Sequence, residues 1–167
     1  MAIVSTNTFY TTSLVYSTIR DLLSTYPFLQ SEIIGYSVLG NPIPYIRIGS
    51  GSNRVFYSAS IHANESITTN VLLKFIEDFC IAYTNNTEIF GNNARNIFNY
   101  ASIYIVPMCN PDGVNLVNGY YPVRKLSIST STEYCKCLSF PSFSRGLEGK
   151  YKWCGFKFAV SCWLGAG

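Results

Sequence analysis

Two short apolar segments separated by one long amphipathic segment constrain the fold of this chain most. Residues 55–61 (VFYSASI) and 101–106 (ASIYIV) have the length and apolar content of strands. Between them, apolar residues recur at helical spacing from Glu65 to Tyr83. Parallel strands need a long crossover connection, which is usually a helix, so this order predicts an α/β sheet in which the two strands are parallel neighbours. We expect the first strand to be covered on both faces, as buried parallel strands are.

The preceding and following segments carry clear helix and turn signals. Residues 10–26 place their apolar side chains on one helical face and end at a Tyr-Pro pair, which predicts a helix. Residues 32–38 and 43–48 are β-rich and flank a Leu-Gly-Asn-Pro sequence, which predicts a hairpin-like pair. The Asn-Pro-Asp-Gly sequence at residues 110–113 predicts a tight turn.

Charge is distributed unevenly along the 167 residues, whose formal net charge is +3. Residues 1–122 hold five basic and seven acidic residues, whereas residues 123–167 hold seven basic and two acidic ones. The second segment also contains four of the six cysteines, at positions 135, 137, 154 and 162. This contrast indicates a boundary near residue 122, with one domain before it and no assigned domain after it.

Composition excludes several classes of protein. With 48% hydrophobic and 13% charged residues, the chain is not a disordered polar tail. No window approaches 18 consecutive apolar residues, and the first residues lack a basic segment followed by an apolar one. We therefore expect no membrane span and no signal peptide, and a cytoplasmic location by default. A net charge of +3 does not indicate a nucleic-acid partner.

His62 and Glu65 are the candidate metal ligands. They follow the first apolar segment and precede the long helix, the position at which open α/β sheets place their sites. Zinc accepts both imidazole and carboxylate ligands, and catalytic zinc sites commonly use three protein ligands and one water. For the pair alone, the alternative interpretation is that Glu65 caps the start of the helix. No further histidine exists in this sequence to complete a site.

Three motifs occur in order: the Gly-x-Ser-x-x-Gly-x-x-Ile sequence of residues 35–43, the His-Ala-Asn-Glu sequence of residues 62–65 after a strand, and the Asn-Pro-Asp-Gly sequence of residues 110–113. Taken together, they resemble the zinc carboxypeptidase family. The resemblance covers about residues 7–121 and is strongest to the bacterial branch of γ-D-glutamyl-diamino-acid endopeptidases. It implies a partial zinc-carboxypeptidase-like fold, an α/β mixed sheet flanked by helices and cut short.

The resemblance also implies residue roles and a substrate class. His62 and Glu65 correspond to the first two zinc ligands, and Asn64 stands where many eukaryotic members have an arginine. The family's third ligand is a later histidine, and its general base is a later glutamate. Neither corresponds to a residue here, so no catalytic residue is assigned in this chain and its substrate-binding residues are unknown. The implied partners are one zinc ion and a peptide substrate, with peptidoglycan stem peptides suggested by the bacterial branch.

The segment after residue 122 suggests a change of reading frame. Codons compatible with residues 124–167, read from their second base, permit a translation that contains WKANINGVDLN, which is similar to the segment that usually follows in bacterial members. Some positions leave little freedom, because the codons of Trp153-Cys154 force a glycine in the shifted frame. The tail cysteines have no paired Cys-x-x-Cys spacing, so we assign them neither zinc nor disulfide bonds.

Three hypotheses follow for function. The chain is a zinc-dependent metallopeptidase by family, or an inactive truncated remnant of such an enzyme from a disrupted gene, or a non-catalytic cell-wall peptide-binding module that keeps the fold. A sheet cut short would leave an unpaired strand edge and an exposed apolar face, from which we expect poor solubility.

Overall fold

The computed structural model describes residues 2–119, which belong to one compact unit spanning Met1–Tyr121. The boundary predicted near residue 122, the four tail cysteines and the proposed change of frame lie outside the described residues. The elements in chain order are α1 (Thr12–Thr25), β1 (Gln30–Tyr36), β2 (Pro42–Ile48), β3 (Asn53–Ser58), α2 (Ser66–Asn85), β4 (Glu88–Ile89), β5 (Asn92–Asn93), α3 (Ala94–Tyr100), β6 (Ala101–Val106) and α4 (Pro111–Val117).

The main sheet has the strand order β1-β2-β6-β3 and mixed strand directions. Strands β1 and β2 form the predicted antiparallel pair, and β2 also pairs antiparallel with β6. Strands β3 and β6 are parallel neighbours joined through α2, which confirms the arrangement predicted from the strand-helix-strand order. The observed architecture is therefore the α/β mixed sheet with flanking helices that the family resemblance implies.

The core lies between this sheet and the helices α1 and α2. Helix α1 begins where Thr11 Oγ1 accepts a hydrogen bond from the Leu14 N–H, and it buries residues spaced three or four apart. Helix α2 buries its own apolar face in the same cluster. The buried apolar side chains include Val15, Ile19, Leu22, Ile46, Ile48, Leu73, Ile76, Phe79, Ile103 and Ile105.

The expectation that residues 55–61 form a strand covered on both faces is wrong for the described residues. Strand β3 ends at Ser58 and lies at one edge of the four-stranded sheet. Phe56 and Tyr57 are 57% and 47% exposed as a result. By contrast, β6 lies between β2 and β3 and is almost wholly buried, as predicted. An apolar run indicates that a strand can be buried, but its place in the sheet decides whether it is.

The tight turn predicted at residues 110–113 is instead the first turn of α4. Asn110 is the N-cap, and its Oδ1 accepts a hydrogen bond from the Gly113 N–H at 2.9 Å. Pro111 occupies the first position of the helix, where its missing N–H costs nothing. A type I turn and the first turn of a helix share nearly the same backbone angles, so the local sequence favours both. Helix α3 and the short β4–β5 hairpin were not predicted.

Candidate metal centre

The loop between β3 and α2, residues 59–65, carries both candidate ligands. It leaves the sheet at the carboxyl end of β3, beside the carboxyl end of the parallel neighbour β6. The sharp reversal occurs at Ser60, which adopts a positive φ of 47°, unusual for a residue other than glycine. The loop therefore brings His62 and Glu65 to the edge of the sheet at which α/β proteins form their sites.

The structure brings the two predicted ligands into direct contact. His62 Nδ1 lies 2.7 Å from Glu65 Oε1, and the side chains are 50% and 45% exposed. Glu65 occupies the N-cap position of α2, but its side chain makes no capping hydrogen bond. A turn within the loop, in which the Glu65 N–H donates to the His62 carbonyl at 3.2 Å, sets this geometry. A nitrogen donor and a carboxylate thus converge at a position that solvent can reach.

Hydroxyl groups from the first turn of α2 hold the loop in place. The Thr68 hydroxyl accepts a hydrogen bond from the Ser60 N–H at 2.8 Å and donates one to the Glu65 carbonyl at 2.7 Å. The Thr69 hydroxyl lies 2.7 Å from the Ser60 hydroxyl and donates to the Pro107 carbonyl at 2.6 Å. Ser60 and Thr69 are buried, so these bonds are shielded from water.

The segment that follows β6 supports the same loop from its other side. The Cys109 N–H donates to the Ala59 carbonyl at 2.9 Å, and the Asn110 N–H donates to the Ser60 carbonyl at 3.0 Å. The Asn110 side-chain amide also donates to the Ile61 carbonyl at 3.3 Å. Three successive backbone positions just before His62 are therefore fixed by residues about 50 positions further along the chain.

Asp112 connects α4 to the β1–β2 turn. Its buried carboxylate accepts hydrogen bonds from the Ser37 hydroxyl at 2.7 Å, the Leu39 N–H at 3.0 Å and the Asn41 side-chain amide at 2.7 Å. Gly40, at the tip of this turn, has a φ of 80°, which glycine adopts without strain. The Gly-x-Ser-x-x-Gly and Asn-Pro-Asp-Gly sequences therefore meet in space through one carboxylate.

The described donors match part of a zinc site. Imidazole nitrogen and carboxylate oxygen are both zinc ligands, and a catalytic site commonly takes three such groups. Within residues 2–119, no cluster of three or more His, Cys, Asp or Glu side chains could hold a metal ion. Burial raises the pKa of the Cys109 thiol, with hydrogen bonds from Ser58 and Ala59 opposing the rise. The chemistry of the His62 imidazole and the Glu65 carboxylate suits zinc, and the described residues bring these two donors together.

Comparison with known proteins identifies the family. The sequence profile of the zinc carboxypeptidase family matches residues 15–136, which is more than half of the chain. The chain therefore belongs to the zinc carboxypeptidase family, a family of zinc metallopeptidases, and the resemblance seen in its motifs is confirmed. Its structure resembles carboxypeptidase A from Helicoverpa armigera with a TM-score of 0.59 at 23% identity, covering 70% of this chain and 29% of that one.

Two bacterial proteins are more similar in sequence. The chain is 49% identical over 108 residues to γ-D-glutamyl-L-diamino acid endopeptidase 1 from Lysinibacillus sphaericus, covering 65% of this chain and 27% of that protein. It is 41% identical over 110 residues to the uncharacterised protein YqgT of Bacillus subtilis strain 168, covering 65% and 29%. The chain thus spans less than a third of the length of these curated relatives.

Sequence reasoning located the two candidate ligands but missed the residues that hold them. Thr68 and Thr69 follow Glu65 closely, and threonine in a first helical turn is a recognisable hydrogen-bonding signal. Asn110 and Gly113 stand in a motif whose local pattern predicts a turn and which the family resemblance places near the site without a role. Their contact with the loop is a long-range feature, so no local pattern could reveal it.

Within the described residues, no helix is both long and apolar enough to cross a bilayer.

Proposed function

We propose that this chain is the N-terminal part of a zinc-dependent metallopeptidase and that His62 and Glu65 are two of its zinc ligands. The observation that carries the proposal is the 2.7 Å approach of His62 Nδ1 to Glu65 Oε1 at the carboxyl edge of the parallel strands. Both groups are about half exposed, which leaves room for a metal ion and water. When bound, zinc supplies a Lewis acid that polarises a peptide carbonyl and lowers the pKa of its water ligand.

The substrate class that we propose is a peptide of the bacterial cell wall. The support is the 49% identity to an enzyme named for cleavage at γ-D-glutamyl-L-diamino acid bonds. Such a bond occurs in peptidoglycan stem peptides. The matched region covers 27% of that relative, so substrate-binding residues from the remainder of such a domain would complete the specificity.

We further propose that the 167-residue chain by itself does not hydrolyse peptides. It contains one histidine, and its described residues bring together two metal donors where a catalytic zinc site commonly takes three. The family resemblance places the third ligand and the general base in later residues, and a chain that lacks them loses contributions that are each typically worth about 100-fold or more in rate. This is the truncated-remnant hypothesis stated in chemical terms.

A binding measurement tests the ligand assignment separately from activity. Co²⁺ would replace Zn²⁺, because its visible spectrum distinguishes nitrogen and oxygen ligands from thiolates. We expect the absorption produced by nitrogen and oxygen ligation to disappear in both His62→Ala and Glu65→Gln. Glu88→Gln is the matched control, because Glu88 is an exposed carboxylate on β4, outside the loop. Cobalt absorption dominated by thiolate charge transfer and unchanged in His62→Ala would contradict the assignment.

An activity measurement tests the substrate proposal. The chain and the Lysinibacillus relative would be incubated with a γ-D-glutamyl-diaminopimelyl peptide and zinc, and the products would be followed by mass spectrometry. We expect cleavage by the relative and none by the chain. Cleavage by the chain that is lost in His62→Ala would support the metallopeptidase and refute the proposed inactivity. Peptide binding by the His62→Ala variant without cleavage would favour the peptide-binding module instead.

A further inference from the structure

We propose that Thr68 and the first turn of α4, Asn110 and Gly113, are positioning residues for the His62–Glu65 metal ligand pair. The inference rests on the proposed function and extends it to residues that touch neither metal nor substrate. The family resemblance implies that the Asn-Pro-Asp-Gly sequence lies near the site with no catalytic role, and the inference gives it a role in holding the metal ligands.

Thr68 links the two ends of the ligand loop. Its hydroxyl accepts from the Ser60 N–H at 2.8 Å and donates to the Glu65 carbonyl at 2.7 Å, so one oxygen joins the residue at the sharp reversal to the second ligand. Ser60 holds a positive φ of 47°, a conformation that costs about 1 kcal/mol or more and persists only when neighbouring contacts impose it. Loss of the hydroxyl would leave the Ser60 N–H without this partner and free the loop to relax.

Gly113 sets the distance between α4 and the ligand loop. A Cβ at this position would lie 2.9 Å from the Ala63 Cβ, which belongs to the residue directly after His62, and 2.6 Å from Asn110 Nδ2. Carbon atoms of separate side chains do not approach this closely, so one of the two elements would have to move. Gly113 does not have a positive φ, and alanine is favoured over glycine within helices. Close packing against the loop therefore explains the glycine better than backbone conformation does.

Asn110 joins these two contacts into one support. Its side chain caps α4 through Oδ1, at 2.9 Å from the Gly113 N, and holds the loop through Nδ2, at 3.3 Å from the Ile61 carbonyl. Its backbone N–H donates to the Ser60 carbonyl at 3.0 Å. The residue preceding His62 is thereby tied to the N-terminal end of α4. Groups that orient metal ligands without touching the metal typically change metal affinity by about 10-fold to 100-fold when they are removed.

The test measures zinc affinity and stability separately. Equilibrium dialysis would give the Zn²⁺ affinity of each variant with and without His62→Ala, and the difference defines the His62-dependent binding. We expect Thr68→Val and Gly113→Ala each to weaken this binding by about 10-fold. Thr68→Ser should keep it, because the hydroxyl remains. Adding Ala63→Gly to Gly113→Ala should restore part of it, because the clashing methyl group is removed.

Thr84→Val is the matched control for Thr68→Val. Thr84 lies on the same helix, and its hydroxyl donates to the Cys80 carbonyl at 2.8 Å, far along the sequence from the ligand loop. Removing its hydroxyl should leave the His62-dependent zinc affinity unchanged, because Thr84 is exposed and its hydroxyl bonds within its own helix. Equal losses of affinity in Thr68→Val and Thr84→Val, or unchanged affinity in both Thr68→Val and Gly113→Ala, would overturn the inference.

Two further outcomes are decisive. If Gly113→Ala loses its far-ultraviolet circular dichroism, that variant is unfolded, and Thr68→Val is compared with Thr68→Ser instead. Weaker His62-dependent zinc binding in Thr68→Val alone supports the inference, and equal binding in both variants overturns it. If the unsubstituted chain shows no His62-dependent zinc binding at all, the proposed ligands and this inference fail together. If it binds zinc and the positioning variants bind equally well, only the inference fails.

Discussion

The buried carboxylate of Glu77 should anchor the N-terminal segment to α2. Its Oε1 accepts hydrogen bonds from the Ile3 N–H and from the Val4 N–H, the latter at 3.3 Å, and Lys74 Nζ lies 3.0 Å from its Oε2. The Glu77 side chain is 1% exposed, so these contacts are shielded from water. We expect Glu77→Gln to loosen this segment more than any exposed charge change on the same helix.

The expected cost of Glu77→Gln follows from the contacts that it alters. Hydrogen bonds to charged groups contribute about 1.5–3 kcal/mol to stability, and those between neutral groups about 0.5–1.5 kcal/mol. Replacing the carboxylate by an amide turns the two bonds from Ile3 and Val4 from charged into neutral ones, at a cost of roughly 1 kcal/mol each. The Lys74 ion pair adds less than about 1 kcal/mol, because Lys74 is 35% exposed. The total is about 2–3 kcal/mol. Asp78→Asn is the matched control, since Asp78 pairs with the same lysine at 2.7 Å and is 49% exposed.

The effect should also depend on pH. Burial by itself would raise the pKa of the Glu77 carboxyl, but the N–H donors of Ile3 and Val4 and the Lys74 ammonium outweigh it, so the pKa lies below its usual 4.5. The carboxylate therefore contributes stability that is fully present above pH 4.5 and is lost as the pH falls through the lower folded-state pKa. Above pH 4.5, the difference from Glu77→Gln should be constant, and it should shrink in more acidic solution.

Amide hydrogen exchange of the N-terminal peptide gives the local opening free energy without requiring cooperative unfolding of the whole chain. We expect a drop of about 2–3 kcal/mol in Glu77→Gln and less than about 1 kcal/mol in Asp78→Asn. Equal drops in the two variants would refute the argument from burial. A difference that does not shrink in acid would refute the assignment of the effect to the charged carboxylate.

Three further predictions concern the backbone, the sheet edge and the gene. A Cβ on Gly51 would lie 2.0 Å from the Tyr100 carbonyl carbon, so Gly51→Ala should lower the free energy of unfolding measured by urea titration by about 3 kcal/mol or more. The control Ser52→Ala, at an exposed neighbouring position, should not lower it. Equal effects of the two substitutions would contradict the close approach. Phe56→Lys on the edge strand β3 should raise the soluble fraction measured after centrifugation, because it replaces an apolar side chain that is 57% exposed. An unsubstituted chain that is already monodisperse at high concentration would argue against an exposed apolar edge. Resequencing codons 118–126 and the following DNA should show that the second frame encodes WKANINGVDLN; a shifted frame without that sequence would refute the proposed change of frame.

Local pattern sufficed for much of the fold. The helical spacing of residues 10–26 and 65–83 and the alternation of β-rich runs with turn residues predict α1, α2 and the β1–β2 pair close to their observed bounds. These features depend on neighbours within a few positions, so they are visible in the sequence. The first two candidate ligands were visible for the same reason, since they lie three positions apart in one loop.

The sequence by itself determined the parallel β3–β6 pair, the crossover helix α2 and the placement of His62 and Glu65 between β3 and that helix. Only the tertiary structure decided that β6 lies between β2 and β3, that β3 is an edge strand with exposed aromatic side chains, and that residues 110–113 begin a helix. It also decided that Asn110 and Gly113 support the ligand loop. The physical reason is distance along the chain: strand order and the contact of Gly113 with Ala63 depend on residues about 50 positions apart, and periodicity carries no information about them.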